Sequence, residues 1–430
     1  MNQPSSKNRF IRPLLIGIIG FTLLSGGTIF FTFTRGLYKP PSLPDAPIVI
    51  EQATIFDGDS VLTGHPKVVI EDGVITCLGE DCEVPTGAEI IDASGLSLMP
   101  GLIDGYLRFY SPTEENLSQG GLSGFLSFVK QRPQVRKNLI QAGVTTVFSA
   151  GDLPQNILLL KDQQSKWDLA GPRIVATGPD FTAPEGYPLT IYAGNEALEK
   201  EGVRTQTDPA AAQQEAAKLL SYGVDAVKIV YDDLGGKLPK INTDILRGLI
   251  EVANQNGSFS VVRCGNEQDL QEASKLGARI LAFGPATSLD SSTINALFQA
   301  DITYFPLLSS RSRADRPRLR ENLVAMRSRG VKVGIGSMPR GEKARFGESL
   351  HQEMLALQEV GFPPAEILQM ATHQAAVAIK VDDQVGNIAP GKQADLILLQ
   401  GKPWEDLSAF KDIQQVMLGG RFMLEPNSSQ

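Results

Sequence analysis

Histidine is almost missing from this chain. Among 430 residues there are three, His65, His351 and His373, and none lies anywhere from residue 66 to residue 350. A metal centre built from several imidazoles is therefore excluded from the middle of the protein. Cysteine is as scarce: Cys77, Cys82 and Cys264. No third and fourth ligand lies close to Cys77 and Cys82, which argues against a zinc site there. The two bracket LGED, a turn-like segment. A hairpin at that point would bring them within disulfide range, and two separate thiols are the alternative. A long basic run is also lacking, which argues against nucleic acid as a partner. No internal repeat occurs, and the only biased tract is a short proline-rich one. The net charge of −8, from 48 acidic and 40 basic residues, implies no more than solubility.

Charge is absent altogether from Pro13 to Thr34, PLLIGIIGFTLLSGGTIFFTFT. As a helix such a run can cross a hydrocarbon core of roughly 30 Å. Lys7, Arg9 and Arg12 precede it, and Arg35 and Lys39 follow. The slight basic excess in front predicts a cytosolic N-terminus, with the bulk of the chain on the other side of the membrane, periplasmic or extracellular. A cleaved signal peptide would have a shorter apolar core and a small-x-small cleavage site. This run ends instead in bulky IFFTFT, and no cysteine stands nearby to take a lipid. The expectation is a single-pass membrane protein, with residues 1–46 forming a transmembrane helix and a stiff spacer, YKPPSLPDAP.

The remainder is an ordinary globular composition, 42% hydrophobic and 20% charged, able to bury a sizeable core. Both ends of it read as strands. IVIEQATIFDG, KVVIEDGVITCLG and AEIIDASGLSLMP set β-branched residues between Gly and Asp turns, and GNIAPGKQADLILLQG and IQQVMLGGRFM resume that style near the C-terminus. The middle alternates strand and helix. Strands are expected at 102–109, 144–150, 173–178, 225–231, 259–263, 278–283, 302–306 and 331–336. The clearest helix is DPAAAQQEAAKLLSYG, with Asp208 as N-cap, Pro209 in the first turn and Gly223 as its stop. The fold class is thus α/β: a (β/α)8 TIM-like barrel over 99–384, with a small composite β-sandwich built from 47–98 and 385–430.

Several stretches carry a family resemblance: EDGVITCLGE, IIDASGLSLMPGLIDG, AGVTTV, GVDAVKIVYDD and NIAPGKQADLILLQGKPWEDL. In this order they resemble the amidohydrolase superfamily, in its imidazolonepropionase-like and prolidase-like branch. The resemblance covers nearly everything after residue 47. It implies a site at the C-terminal ends of the barrel strands, holding zinc or another divalent metal that activates a water. The ligand pattern it implies is His-x-His on strand one, a lysine on strand four, histidines on strands five and six, and an aspartate on strand eight. In this chain those positions hold Tyr106 and Arg108, Lys228, Arg263, Phe283 and Met338. Only Lys228 matches. Arginine accepts no metal, phenylalanine has no donor atom, methionine offers a soft thioether, and tyrosine ligates only as a phenolate.

The chain therefore resembles a degenerate member of that superfamily: a membrane-anchored pseudoenzyme with no metal and no cofactor, serving binding or scaffolding. The alternative is a hydrolase acting on carbon–nitrogen bonds of cyclic amides or similar small molecules through a metal-free or divergent site. Arg108, Lys228 and Arg263 are expected to share one pocket and to be balanced by Asp104 and Asp152, or by a small anionic ligand. Asp232 or Asp233 is expected to neutralise Lys228. The arginine-rich stretch 309–330 is expected to be a solvated loop and helix. The protein partner, if there is one, has no signature in the sequence.

Overall fold

Apolar segments without strict alternation suit strands buried on both faces, and here they wrap into a barrel. The computed structural model describes residues 38–109, 133–192, 196–312, 314–339 and 345–424. The barrel strands are Leu102–Leu107, Val144–Ser149, Arg173–Ala176, Val227–Tyr231, Ser260–Cys264, Ile280–Phe283, Thr303–Phe305 and Lys332–Val333. The first, second, fourth and sixth are buried along their whole length. Neighbours pair in parallel from the first strand to the third and from the fourth to the eighth. The barrel closes where Gly105 N–H donates to the Ile335 carbonyl at 3.0 Å and Met338 N–H to the Tyr106 carbonyl at 3.0 Å. That closure is tight. A Cβ at Gly336 would lie 2.4 Å from the Tyr106 Cβ, so only glycine lets the two segments approach so closely.

The third strand departs from the single strand expected over 173–178. It stops at Ala176, turns through Gly178 in the left-handed region (φ 71°), and resumes as Asp180–Thr182. Pro179, with no N–H to give, follows the turn. The resumed piece pairs in parallel with the fourth strand and sets Asp180 opposite Lys228. A further short strand, Val203–Thr205, lies outside it.

The helices that follow the strands have sequence-encoded ends. Pro209–Ser221 is capped by Asp208, whose carboxylate accepts from Ala211 N–H at 2.8 Å, and the chain leaves it through Gly223 (φ 100°). Thr243–Gln255 is capped by Asn242 and buries Ile245, Leu246, Leu249, Ile250 and Val252 against the barrel. The arginine-rich stretch forms the helix Arg316–Arg329, with Arg318 paired to Glu321 and Arg327 to Glu366.

Both ends of the chain meet in one sheet, because Leu96–Pro100 pairs antiparallel with Leu396–Gln400. Thr54–Ile55, Ile413–Leu418 and Arg421–Phe422 complete it. A second sheet holds Ile48–Glu51, Lys67–Glu71, Val74–Gly79 and Glu89–Asp92. The two share a core that includes Ile50 and Ile70 from one and Ile55, Leu98, Leu396 and Met417 from the other. Cys77 and Cys82 are joined by a disulfide. The uncharged segment 13–34 lies outside the described residues. Among the described residues, no helix is long and apolar enough to cross a membrane.

Candidate functional site

Period-two alternation puts Asp104, Tyr106 and Arg108 on one face of the first strand and its exit, towards the barrel axis. The same rule and the pairing of Val230 with Arg263 put Lys228 and Arg263 on a common inward face. Tyr106, Phe283 and Met338 belong to the apolar cluster that fills the barrel, together with Phe148, Phe259 and Phe305.

At the centre the amine of Lys228 donates to the hydroxyl of Tyr106. Both side chains are 1% exposed. The Tyr106 ring meets Phe283 edge-on, with centroids 6.2 Å apart, and Phe305 at 6.3 Å. No carboxylate among the described residues forms an ion pair with Lys228. Burial, reinforced by the positive charge of Arg263, holds this amine well below the usual lysine range.

Arg108 lies just past the first strand and forms a buried ion pair with Asp180. Burial opposes the charge of Arg108, but Asp180, with Tyr192, Tyr187 and Asp152 behind it, outweighs that cost and keeps the guanidinium charged. Burial pushes the Asp180 carboxyl up, against the pull of Arg108 and Arg263. The pair presses on Gly151 (φ 100°), where a Cβ would lie 2.8 Å from Asp180 Oδ1 and 2.9 Å from Arg108 Nη2.

Arg263 donates from Nε to Asp232 Oδ2 at 2.9 Å. Its guanidinium is stacked between two rings, 3.7 Å from the centroid of Phe283 and 4.6 Å from that of Tyr187. This face-on placement is the favourable geometry for a cation on an aromatic quadrupole. Phe283 is held with φ 73° and Met338 with φ 36°, and both side chains are buried. Tyr304 donates its hydroxyl proton to the Phe283 carbonyl.

The structure corrects how the cations are balanced. Asp104 does not pair with them: it accepts from the Ser337 hydroxyl and, at 2.9 Å, from Ser337 N–H. Burial raises its carboxyl to about 7, against those hydrogen bonds. Asp152 accepts from Phe109 N–H at 2.7 Å and from the Ser149 hydroxyl at 2.5 Å, and reaches Arg108 through its field. The ion-pair partners are Asp180 and Asp232, so Asp232 serves Arg263 rather than Lys228. Asp233 accepts from Gly235 N–H, a turn contact. Asp180, Tyr187 and Ser337 had no motif to mark them. Only the Gly-Pro break before Asp180 was a visible signal that the strand would bend there.

The side chains at these positions do not suit a divalent metal. A catalytic zinc needs about three protein donors. Here the nearby carboxylates are engaged with guanidinium groups, hydroxyls and backbone N–H, and two cationic side chains stand beside them. Among the described residues no group of three or more His, Cys, Asp and Glu is placed to hold a metal. The histidines are engaged elsewhere: His65 with the Ala53 carbonyl, His351 with the Ala142 carbonyl, and His373 with Asp59.

Comparison with known proteins agrees with the architecture. The model of a family described as the amidohydrolase family matches residues 97–423. An imidazolonepropionase of Porphyromonas gingivalis is 22% identical over 396 residues, covering 84% of this chain and 90% of that protein. Among solved structures, a putative prolidase from Bifidobacterium longum aligns with a TM-score of 0.72 at 22% identity, covering 90% of this chain and 96% of its own. Molinate hydrolase aligns with a TM-score of 0.76 at 21% identity, covering 88% and 94%. At such identities the structural likeness shows the fold alone.

Proposed function

This chain belongs to the amidohydrolase family, and from that premise we propose that it keeps the barrel while giving up metal-dependent hydrolysis, and binds a small anionic molecule at the barrel mouth instead. One observation carries the reading. The space where family members hold metal is taken by an interlocked set of Tyr106 with Lys228, Arg108 with Asp180, and Arg263 with Asp232 between two rings. A dication brought there would meet two guanidinium groups and a set of carboxylates already engaged. An anion would meet those two guanidinium groups, each beside the carboxylate it already pairs with. Arg108 Nε and Arg263 Nη1 are buried donors with no hydrogen-bond partner. Leaving such donors unpaired is costly, and a carboxylate or phosphate would satisfy them.

The test is metal content with activity. Protein purified without an affinity tag is expected to carry well under one zinc, manganese or iron per chain. Added zinc is expected to give no hydrolysis of cyclic amides or dipeptides. Stoichiometric metal that is lost in Lys228→Met would overturn this reading.

The second reading, a hydrolase of carbon–nitrogen bonds through a divergent site, is favoured by one feature. Asp104, raised to about 7, and Lys228, held well below the usual lysine range, are a buried acid and a buried base on barrel strands. Metal-free turnover of a cyclic amide that disappears in Lys228→Met would favour it.

The proposed location is a membrane, with the barrel outside the cytosol. Supporting it are the uncharged 13–34 run, the proline-rich spacer after it and the Cys77–Cys82 bond, which suits an oxidising compartment.

A further inference from the structure

Lys228 is the buried lysine of the described residues, and its surroundings differ from those of a structural lysine. A buried ammonium is ordinarily held by a carboxylate. Two half-buried lysines follow that rule, Lys240 with Asp269 and Lys161 with Asp225, while two others, Lys67 and Lys392, donate to the Cys82 and Asp382 carbonyls. Lys228 instead faces a phenol hydroxyl, whose ring packs against Phe283 and Phe305, and feels the charge of Arg263. In the same barrel mouth Arg108 Nε and Arg263 Nη1 lack partners, and Arg263, whose charge acts on Lys228, is 11% exposed.

We propose that Lys228 is a nucleophilic amine that forms a Schiff base with a small carbonyl compound bearing a carboxylate, a 2-oxo acid, with Tyr106 as its proton partner and Arg263 and Arg108 receiving the carboxylate. The inference rests on the anion-binding reading above and adds the chemistry of the ligand. The amine lone pair attacks the carbonyl carbon, and a C–N bond forms as the C=O π bond opens. The oxygen takes the proton of the Tyr106 hydroxyl, and the phenolate recovers it from the nitrogen. The carbinolamine then loses its hydroxyl, with the second nitrogen proton, as water. One amine and one carbonyl thus give one imine and one water, with no oxidant or reductant. Burial and the charge of Arg263 both disfavour the ammonium form, which favours a free lone pair on this amine. Tyr106 is in hydrogen-bond contact with the reacting nitrogen, as a proton-transfer partner must be.

The probe is pyruvate with sodium cyanoborohydride, applied to the full chain. Peptide mapping is expected to find Lys228 carrying a stable adduct with the mass of one pyruvate less one oxygen. Acetone, the same carbonyl without the carboxylate, is expected to give at least about tenfold less adduct at Lys228, the weight of one charge-assisted hydrogen bond. Tyr106→Phe is expected to slow the labelling about a hundredfold, as loss of a general acid does, while Lys228 stays in place. Wild-type protein in which exposed lysines such as Lys218 are labelled and Lys228 is not would overturn the proposal. So would equal labelling by acetone and pyruvate. A parallel melt with lactate, which has the carboxylate and no carbonyl, separates this inference from its premise. A melting temperature raised by lactate in wild type, and not in Arg263→Met, with Lys228 unlabelled, would overturn the amine chemistry and leave the anion site. No lactate effect and no labelling would overturn both.

Discussion

Single residues in the barrel mouth trade stability for charge. Asp104 holds its proton in the folded chain up to about pH 7, whereas an unperturbed aspartate releases it near 3.8. Between those values the folded state binds more protons than the unfolded one, so stability falls as pH rises through the window and is level above it. Glu353 adds to the same slope, because burial raises it to about 7 despite backbone N–H groups of Leu308 and Ser309 at 2.7 and 2.6 Å. Asp104→Asn is expected to shrink the loss of stability between pH 5 and pH 8, measured by urea unfolding. An unchanged slope would show that Asp104 titrates normally. Arg263 carries a second expectation. Its removal leaves Asp232, 4% exposed, as an uncompensated buried charge. Arg263→Ala is expected to cost about 3–5 kcal/mol, the usual penalty for breaking a buried pair. Arg263→Met with Asp232→Asn is expected to recover most of it, and chemical denaturation of both variants measures the difference.

At the scale of elements, the site depends on how closely two segments pass. The barrel seam between the first strand and the segment after the eighth is set by Gly336 against Tyr106. Gly336→Ala places a methyl group 2.7 Å from the Tyr106 nitrogen as well as 2.4 Å from its Cβ, and backbone cannot swing aside as a long side chain can. The expected cost is about 1–3 kcal/mol, the range for overpacking, seen as a lower melting temperature. The same shift moves Tyr106 relative to Lys228. A variant as stable as wild type would mean the seam can relax. The bend at Gly178 matters in another way. It takes Asp180 out of the run of the third strand and sets it against the fourth, where it meets Arg108.

For the whole molecule, the expectation concerns orientation. If residues 13–34 cross the membrane with the N-terminus in the cytosol, protease added outside intact cells or spheroplasts is expected to digest the barrel. Digestion only after lysis would place the barrel in the cytosol. The β-sandwich bears on how such a digest would read. Its strands come from both sides of the barrel in sequence, and Leu96–Pro100 pairs with Leu396–Gln400. A cut in one half leaves the other half's sheet unpaired, so barrel and sandwich are expected to fail together.

The sequence by itself determined the architecture and the scarcity of histidine in the barrel. Buried parallel strands need continuous apolar runs, and caps such as Asp208 act within a few residues, so both are legible locally. The absence of histidine from 66 to 350 is a matter of composition, and no folding can supply it. How Arg108, Lys228 and Arg263 are balanced was decided only in three dimensions. The sequence offered Asp104 and Asp152 as the balancing carboxylates. The fold chose Asp180, more than seventy residues away from Arg108, because the third strand bends at Gly178 and pairs its second piece with the fourth. Tyr187 reached Arg263 in the same manner, across the barrel mouth rather than along the chain. Ion pairing and ring stacking depend on distance in space, and a closed barrel makes neighbours of residues that no local pattern connects.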